Sequence, residues 1–231
     1  MTTDLKKIQQ RKQARIAGFW YLIMGVAGGF GIMYVPLNIL VQGDAAASAA
    51  NIVAADWVYS LSMLSNLIGQ VAFIFLVLDL NRLLKEVNPK SAKLMVTLVT
   101  AAVPIAFLNT LTLIGAQLLA NKQAMFAGFE PAQINDLVLL FLKLYEHGVI
   151  IIQIFWGLWL LPFGLLVIKS GFIPKWIGVL LVVGCFTYLI DSTIGFMLPQ
   201  YKEMAAGILM LPLAAGEFSI IFWLLVKGVR E

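Results

Sequence analysis

The long, mostly apolar stretch over residues 134–169 constrains the fold more than any other feature of the chain. At about 1.5 Å per residue, a helix over this stretch would measure roughly 50 Å, against a hydrocarbon core of about 30 Å. On such a helix, five polar residues project onto one face, an arc of roughly 120°: Asp136, Lys143, Glu146, His147 and Gln153. A polar stripe on an apolar span indicates contact with protein or water there, not lipid. We therefore expect this helix, which carries the single histidine, to line any functional site.

Composition identifies the class of protein. Hydrophobic residues make up 61% of the chain and charged residues 12%, about half the charged fraction of a typical soluble domain. The apolar residues occur in long runs, which a bilayer requires and a soluble core does not. The single Cys185 excludes a disulfide framework and a cysteine-rich metal cluster. The sequence predicts an all-α, polytopic membrane protein whose partner is the lipid bilayer and not nucleic acid.

Six apolar segments predict a six-helix bundle, a single transmembrane domain over residues 1–231. The predicted helices cover about 16–41, 56–84, 94–120, 134–169, 174–198 and 204–229. The segment QGDAAASAAN after the first helix is predicted to be a polar loop. In the first helix, Gly25 and Gly29 form a GxxxG pair, which predicts close approach of a neighbouring backbone. In the second helix, polar residues at helical spacing predict a polar face: Tyr59, Ser62, Asn66 and Gln70.

Positive charge predicts the orientation of this bundle. Thirteen of the 16 Lys and Arg residues precede the first helix, follow the sixth, or flank the second and fourth connections. The opposite side has only Lys122, Lys143 and Lys202. The positive-inside rule then places both termini in the cytoplasm.

Counting along each helix from its cytoplasmic end gives approximate depths. Four polar side chains from four helices come out about 22–24 Å above the inner boundary: Asn66, Asn109, Gln153 and Asp191. Gln70 lies near 18 Å and Glu217 near 15 Å, the bilayer midplane. The Glu146–His147 pair lies higher, with His147 at about 33 Å in an upright helix. We expect a polar pocket that opens outward and is closed toward the cytoplasm.

Several of these side chains have a purely structural alternative. The amides of Asn66, Asn109 and Gln153 are of the kind that hold membrane helices together by hydrogen bonds. The cluster of Lys143, Glu146 and His147 could instead lie in water, because the fourth helix is long enough to extend beyond the membrane.

The two carboxylates within the spans, Asp191 and Glu217, differ in how well a purely structural role explains them. Asp191 could accept hydrogen bonds from Ser192 and Tyr188 and do nothing more. Glu217 is harder to explain structurally, because a charged and unpaired carboxylate at the midplane costs several kcal/mol. It is therefore expected to be protonated, paired or hydrated.

Catalytic chemistry has little support. A single histidine cannot build a multi-histidine zinc site, although His147, Asp191 and Glu217 could supply three ligands. Ser192 next to Asp191 could imitate a hydrolytic triad with His147, but sequence gives no geometry. No GxSxG, HExxH, Walker or GxGxxG pattern occurs in a usable context. We expect no catalytic residues, no metal and no cofactor.

Four stretches carry a resemblance to a known family. They are RIAGFWYLIMG at 15–25, KSGFIPKWIGVLL at 169–181, YLIDS at 188–192 and GEFSIIFWLLVKGV at 216–229. In these stretches the chain resembles the bacterial membrane family catalogued as domain of unknown function 4386, and the match covers most of the chain. The resemblance implies a multi-helix protein of the bacterial inner membrane and carries no assigned activity. It adds emphasis to the residues inside these motifs: Tyr188, Asp191, Ser192, Gly216 and Glu217.

Three functions fit these observations. The favoured hypothesis is a protein that binds, or transports, a small polar or amphiphilic molecule. Its site would be lined by Asn66, Gln70, Asn109, Glu146, His147, Gln153, Tyr188, Asp191, Ser192 and Glu217, with Glu217 and Asp191 as proton or cation sites. The second is a structural or accessory subunit, and the third a membrane enzyme acting on a lipid-like substrate with His147 as base. A transporter needs access from both sides, and the expected pocket opens on one, which favours binding.

The topology can be tested with reporter fusions. A carboxyl-terminal reporter that is active only outside the cytoplasm should be inactive, because the charge alternation places this terminus inside. The same reporter inserted in the connection between the third and fourth helices should be active. A reversed pattern would invert the orientation and every depth given above.

Overall fold

A computed structural model describes residues 2–121 and 123–229 of the chain. Within these ranges every regular element is a helix, which confirms the all-α prediction. Six helices are long and apolar enough to cross a membrane, and we call them spans one to six: Lys7–Ile39, Asp56–Leu84, Pro89–Asn121, Pro131–Ser170, Lys175–Met197 and Met204–Lys227. Lys122 and Arg230, which contribute to the charge alternation, lie outside the described residues.

Most helix boundaries follow local sequence rules. The third and fourth spans begin at Pro89 and Pro131, slightly earlier than predicted, because the first helical turn needs no N–H from proline. The fourth span ends at Ser170, and Gly171 follows with φ of 76°, a backbone conformation that glycine adopts without strain. The first helix begins at Thr2, well before the predicted residue 16.

The segment after the first span is a helix, Ala45–Ala54, so the predicted polar loop is wrong. The Asp44 carboxylate caps this helix by accepting a 2.9 Å hydrogen bond from the Ala47 backbone N–H. Alanine has the highest intrinsic helix propensity, so the alanines after this cap favour a helix. The Ser48 hydroxyl accepts a hydrogen bond from the Val41 N–H at 2.9 Å, which ties the short helix to the end of the first span.

Two π-helical segments interrupt the first span, Met24–Gly28 and Val35–Ile39. A π-helical turn holds an extra residue, so the residues beyond it are rotated from their positions in a regular α-helix. This explains why the GxxxG prediction is wrong. The space around a Cβ at Gly29 is open and Gly25 is exposed.

The chain divides into two compact units, which we call unit A and unit B. Unit A contains the chain up to Ile23, Val71–Val103, and the residues from Ile150 onward. Unit B contains Met24–Gln70 and Pro104–Val149. The expectation of a single domain stays a prediction.

Unit B has an apolar core built around two buried tyrosines, Tyr59 and Tyr145. The Tyr59 hydroxyl donates a 2.9 Å hydrogen bond to the Leu113 carbonyl. Spans one and two approach each other closely in this unit, because a Cβ on Gly31 would lie 2.6 Å from the Cβ of Asn66. The predicted polar face of the second span is confirmed, since Tyr59, Ser62, Asn66 and Gln70 are all buried.

Unit A has an aromatic core centred on Trp159. Its ring centroid lies 6.0 Å from that of Tyr21, 4.9 Å from that of Phe73 and 5.2 Å from that of Phe163. Spans four and five pack without intervening side chains where a Cβ on Gly164 would lie 2.7 Å from the Gly178 carbonyl oxygen.

Large apolar side chains remain exposed along the outer faces of the spans. Phe218 is 71% exposed and Leu211 73%, and both belong to the sixth span. A soluble protein would not leave such a surface in water, whereas lipid covers it at no cost. Together with the six spans, this surface identifies a multi-pass membrane protein.

The contact at Gly31 generates a stability prediction. Gly31→Ala should destabilise the protein by about 1–3 kcal/mol, because the added methyl overlaps the Asn66 backbone and overpacks the helix contact. For a chain of this size, such a loss of stability lowers the Tm by roughly 2–4 °C per kcal/mol. The Tm is measured by thermal unfolding in detergent.

Gly29→Ala is the matched control, two residues away in the same span, with nothing within 4 Å of the added Cβ. It should leave the Tm unchanged or raise it slightly. Equal effects of the two substitutions would contradict the close contact at Gly31.

Candidate functional site

Two of the buried amides of unit B, those of Asn66 and Asn109, hydrogen bond to neighbouring helices. The Asn109 amide donates a 3.1 Å hydrogen bond to the Tyr145 carbonyl. The Asn66 amide donates to the Thr110 hydroxyl at 3.4 Å, and the Gln70 amide donates to the Asn66 carbonyl oxygen at the same distance. These bonds connect the second, third and fourth spans within the unit. They fit the structural alternative for Asn66 and Asn109.

The charged residues of the fourth span form a local cluster in unit B. The Lys143 ammonium donates to the Glu146 carboxylate at 2.9 Å and to the Gln42 side-chain oxygen at 2.6 Å. His147 is exposed and forms no hydrogen bond or ion pair with any other described residue. The Glu146 charge is therefore balanced locally, and the His147 ring is not enclosed.

A polar cluster that sequence analysis missed joins the start of the second span to the end of the third in unit B. The Asp56 carboxylate accepts hydrogen bonds from the Gln117 amide, at 2.8 Å, and from the Asn121 amide. Gln117 also donates to the Ser60 hydroxyl at 2.7 Å. The four-residue spacing of Gln117 and Asn121, which places both on one helix face, was the available signal.

Unit A contains two carboxylates of a different kind. Glu217 and Asp191 are partly buried, and neither forms a hydrogen bond or an ion pair with another described residue. A third carboxylate of the unit, Asp79, is buried and pairs with Arg82 at 2.9 Å. Sequence analysis did not single out this pair, although its three-residue spacing on a helix predicts such a contact.

Two tyrosines accompany the unpaired carboxylates. Tyr188 lies three residues before Asp191 on the fifth span, so the two side chains share one face of that helix. Tyr21 is completely buried, and its hydroxyl has no hydrogen-bond partner among the described residues. Sequence analysis missed Tyr21, because nothing in its local spacing predicts a buried hydroxyl without a partner.

Packing by small residues positions these side chains. A Cβ on Gly157 would lie 2.9 Å from the Cβ of Tyr188, so glycine lets the fourth span contact the fifth at Tyr188. A Cβ on Gly216 would lie 3.2 Å from the backbone of Leu180, which brings the sixth span against the fifth just before Glu217.

Two tryptophans of the fourth span flank the two tyrosines. The ring of Trp156 lies 6.3 Å from that of Tyr188, and the ring of Trp159 lies 6.0 Å from that of Tyr21. The candidate site in unit A therefore draws its carboxylates from the fifth and sixth spans and its aromatic side chains from the first, fourth and fifth spans.

Of the other predicted site residues in unit A, Gln153 has a side-chain oxygen without a partner, whereas Ser192 has a hydrogen-bond partner. The Gln153 side-chain oxygen is buried and has no partner in the described part of the chain. The Ser192 hydroxyl donates to the Ile150 carbonyl at 3.3 Å and not to Asp191, so the local bond proposed for that carboxylate does not form.

Tyr188, Asp191 and Glu217 thus all belong to unit A, as does the buried Tyr21. Among the described residues, no group of three or more His, Cys, Asp and Glu side chains could hold a metal ion. The prediction that all the candidate residues share one pocket stays a prediction.

Comparison with known proteins assigns the family. The family described as "Domain of unknown function (DUF4386)" matches residues 16–228. The chain belongs to the DUF4386 family. The predicted resemblance is therefore confirmed, and the DUF4386 match includes every residue of the unit A site.

Another similar protein comes from an archaeon. An uncharacterized protein of Archaeoglobus fulgidus is 39% identical to this DUF4386 chain over 75 residues, which are 32% of the chain and 43% of the relative. The match thus spans less than half the length of that relative. No solved structure matches the chain.

Two buried tyrosines of unit B allow a test of the hydrogen-bond assignments in this DUF4386 protein. Removing a hydroxyl that has a partner should destabilise the protein more than removing one that has none. Tyr59→Phe should destabilise it by about 1 kcal/mol, because the hydroxyl bonded to the Leu113 carbonyl is lost.

Tyr145→Phe is the matched control, because the Tyr145 hydroxyl is buried without a partner among the described residues. Its removal should leave the Tm unchanged or raise it. Both are measured by thermal unfolding in the same detergent, and a larger loss for Tyr145→Phe would contradict the hydrogen-bond assignment.

Proposed function

We propose that this protein binds a small polar or amphiphilic molecule at the unit A site. We also propose that the protein lies in the cytoplasmic (inner) membrane of a bacterial cell, with both termini in the cytoplasm. The positive-charge alternation supports this orientation.

The observation that carries the proposal is the lack of partners around Glu217. Buried polar groups that hold helices together are almost always hydrogen-bonded, as Asn66 and Asn109 are in unit B. Leaving such a group unpaired costs about 1–3 kcal/mol, and more if it is charged. Unit A contains two partly buried carboxylates without a hydrogen bond or ion pair to a described residue, together with the buried and unpartnered hydroxyl of Tyr21. A ligand that supplies the missing partners explains why these costly groups are retained.

Sequence analysis proposed ten ligand-binding residues, and the structure supports them unequally. Tyr188 and Asp191 lie three residues apart on one helix of unit A, Glu217 lies in the same unit without a described partner, and Gln153 retains an unpartnered oxygen there. We propose these residues and Tyr21 as the binding set. For the others we retain a role in ligand binding only as a weaker proposal: Asn66, Gln70, Asn109, Glu146, His147 and Ser192.

The alternatives have less support. The structural hypothesis is favoured in unit B, where the amide hydrogen bonds connect spans, but it does not account for Glu217 and Asp191. The enzyme hypothesis required His147 as a base, and no described residue orients that exposed ring. Transport would extend the binding proposal, since it requires the same site with a second access route.

Ligand-induced stabilisation tests the proposal. The purified protein should be screened by thermal unfolding against a panel of cationic, anionic, zwitterionic and neutral small molecules. A ligand at about 100 times its Kd stabilises the folded state by about 2.7 kcal/mol, a shift of several degrees. Glu217→Gln should abolish this shift while leaving the ligand-free Tm close to that of the wild type, because no partner of Glu217 is lost.

Asp79→Asn is the matched control within the same unit. It breaks the pair with Arg82, so it should lower the ligand-free Tm and leave the ligand-induced shift intact. If Glu217→Gln behaves like Asp79→Asn, Glu217 is a structural residue and the proposal is wrong.

A further inference from the structure

We propose that residues 5–16 of the first helix, which we call the basic segment, bind the headgroups of anionic phospholipids at the membrane surface. This inference is independent of the proposed ligand site, because it concerns exposed side chains in another part of unit A. It adds which class of lipid the protein selects at this position to the finding that lipid surrounds the spans.

The exposed face of the helix Thr2–Ile23 is apolar well before the predicted start of the first span. At about 100° per residue, four large exposed side chains project onto an arc of roughly 80°. These four residues, which we call the lipid stripe, are Leu5, Ile8, Ile16 and Phe19. The buried residues Ala14, Ala17 and Tyr21 project onto the opposite side of the helix. The lipid stripe is therefore one continuous surface that faces away from the protein.

Packing against the sixth span fixes the level of the basic segment within unit A. A Cβ on Gly228, directly after the last residue of the sixth span, would lie 3.0 Å from Cγ of Arg11. One turn further along the helix, the Arg15 guanidinium donates a 3.4 Å hydrogen bond to the Val226 carbonyl. Arg11 is therefore level with the end of the sixth span. At about 1.5 Å per residue, Ile8 and Leu5 lie only about 5 Å and about 9 Å beyond that level.

These distances correspond to the headgroup layer. The sixth span has 24 residues, so it is about as long as the hydrocarbon core is thick and ends near its edge. The headgroups add about 5–8 Å on each side of that core. Leu5 is 61% exposed and Ile8 66%, and at this level both side chains can reach the upper acyl chains. The lipid stripe thus extends the lipid-facing surface of the first span into the headgroup layer.

The charge of the basic segment selects the kind of headgroup. Its exposed basic side chains are Lys7, Arg11, Lys12 and Arg15. No Asp or Glu occurs in residues 5–43, and neither Lys7 nor Lys12 forms an ion pair with a described residue. Lys12 also lies in the arc of the lipid stripe. Each Lys or Arg close to an anionic membrane surface strengthens binding about 5-fold, so this segment is complementary to anionic phospholipids.

The positive-inside rule explains only part of this pattern. It accounts for basic residues on one side of the membrane. It does not account for Leu5 and Ile8, which are exposed between those basic residues. Apolar side chains on one helix face with basic residues beside them are typical of helices that bind anionic membranes.

Lipid-specific fluorescence quenching tests the inference. Ile8→Cys in the whole chain is labelled with a fluorescent maleimide and reconstituted into phosphatidylcholine vesicles, and the buried Cys185 of the unsubstituted protein should not react. Quenching by phosphatidylglycerol with a nitroxide on its upper acyl chain is compared with quenching by phosphatidylcholine that carries the same nitroxide. We expect phosphatidylglycerol to be enriched at least about 3-fold over phosphatidylcholine at this position, and about 1 M salt to remove most of the enrichment.

Variants then locate the lipid site. Lys7→Gln combined with Lys12→Gln should remove most of the enrichment at residue 8. Lys85→Gln combined with Lys90→Gln is the matched control, because it removes the same charge from exposed positions between the second and third spans and should retain the enrichment. A label at Trp57→Cys, which is 75% exposed in a part of the chain without Lys or Arg, should show no preference. Thermal unfolding verifies that each variant is folded.

Three results would overturn the inference. If neither lipid quenches the label at residue 8, the lipid stripe contacts water or another protein at this position. If the two lipids quench it equally, the helix lies in lipid without selecting its charge, and the lysines serve only to orient the protein. If the two double variants lose the enrichment equally, the attraction comes from the total charge of the protein and the basic segment is not a specific site.

Discussion

Close contact between helix backbones is the constraint on which the rest of the structure depends. Lipid tails are as apolar as the side chains, so helices in a membrane gain little from hydrophobic burial against each other and depend on tight packing. In unit B this contact occurs where Gly31 meets Asn66, and in unit A where Gly157 meets Tyr188 and Gly216 meets Leu180. The same glycines place polar side chains at the helix contacts, so packing and site geometry share one cause.

The polar groups at these contacts serve two different purposes. In unit B, Asn66 and Asn109 use their hydrogen bonds on other helices, which is what structural polar residues do. In unit A, Glu217 and Asp191 have no partners among the described residues, and neither does the buried hydroxyl of Tyr21. Unit B also holds buried polar atoms without a described partner, on Gln70 and Tyr145, so the feature that distinguishes unit A is its pair of partly buried carboxylates without partners.

Sequence alone determined the class of fold and the number of spans. The length of the apolar runs requires helices that cross a bilayer, and regular helical spacing correctly predicted the buried polar face of the second span. Depth along each helix stays a prediction, because it assumes both the orientation of the bundle and a constant rise per residue. The exception was the helix Ala45–Ala54, where the cap at Asp44 and the alanine propensity outweighed the apparent polarity of the segment.

Tertiary structure decided which residues meet. The π-helical segments of the first span rotate the residues that follow them, so a regular helical projection selected Gly25 and Gly29 instead of Gly31. The lateral neighbours of Glu217 depend on how separate spans pack, and no spacing within one helix contains that information. Sequence therefore marked Glu217 as unusual from its predicted depth, whereas only the tertiary structure shows that no described residue pairs with it.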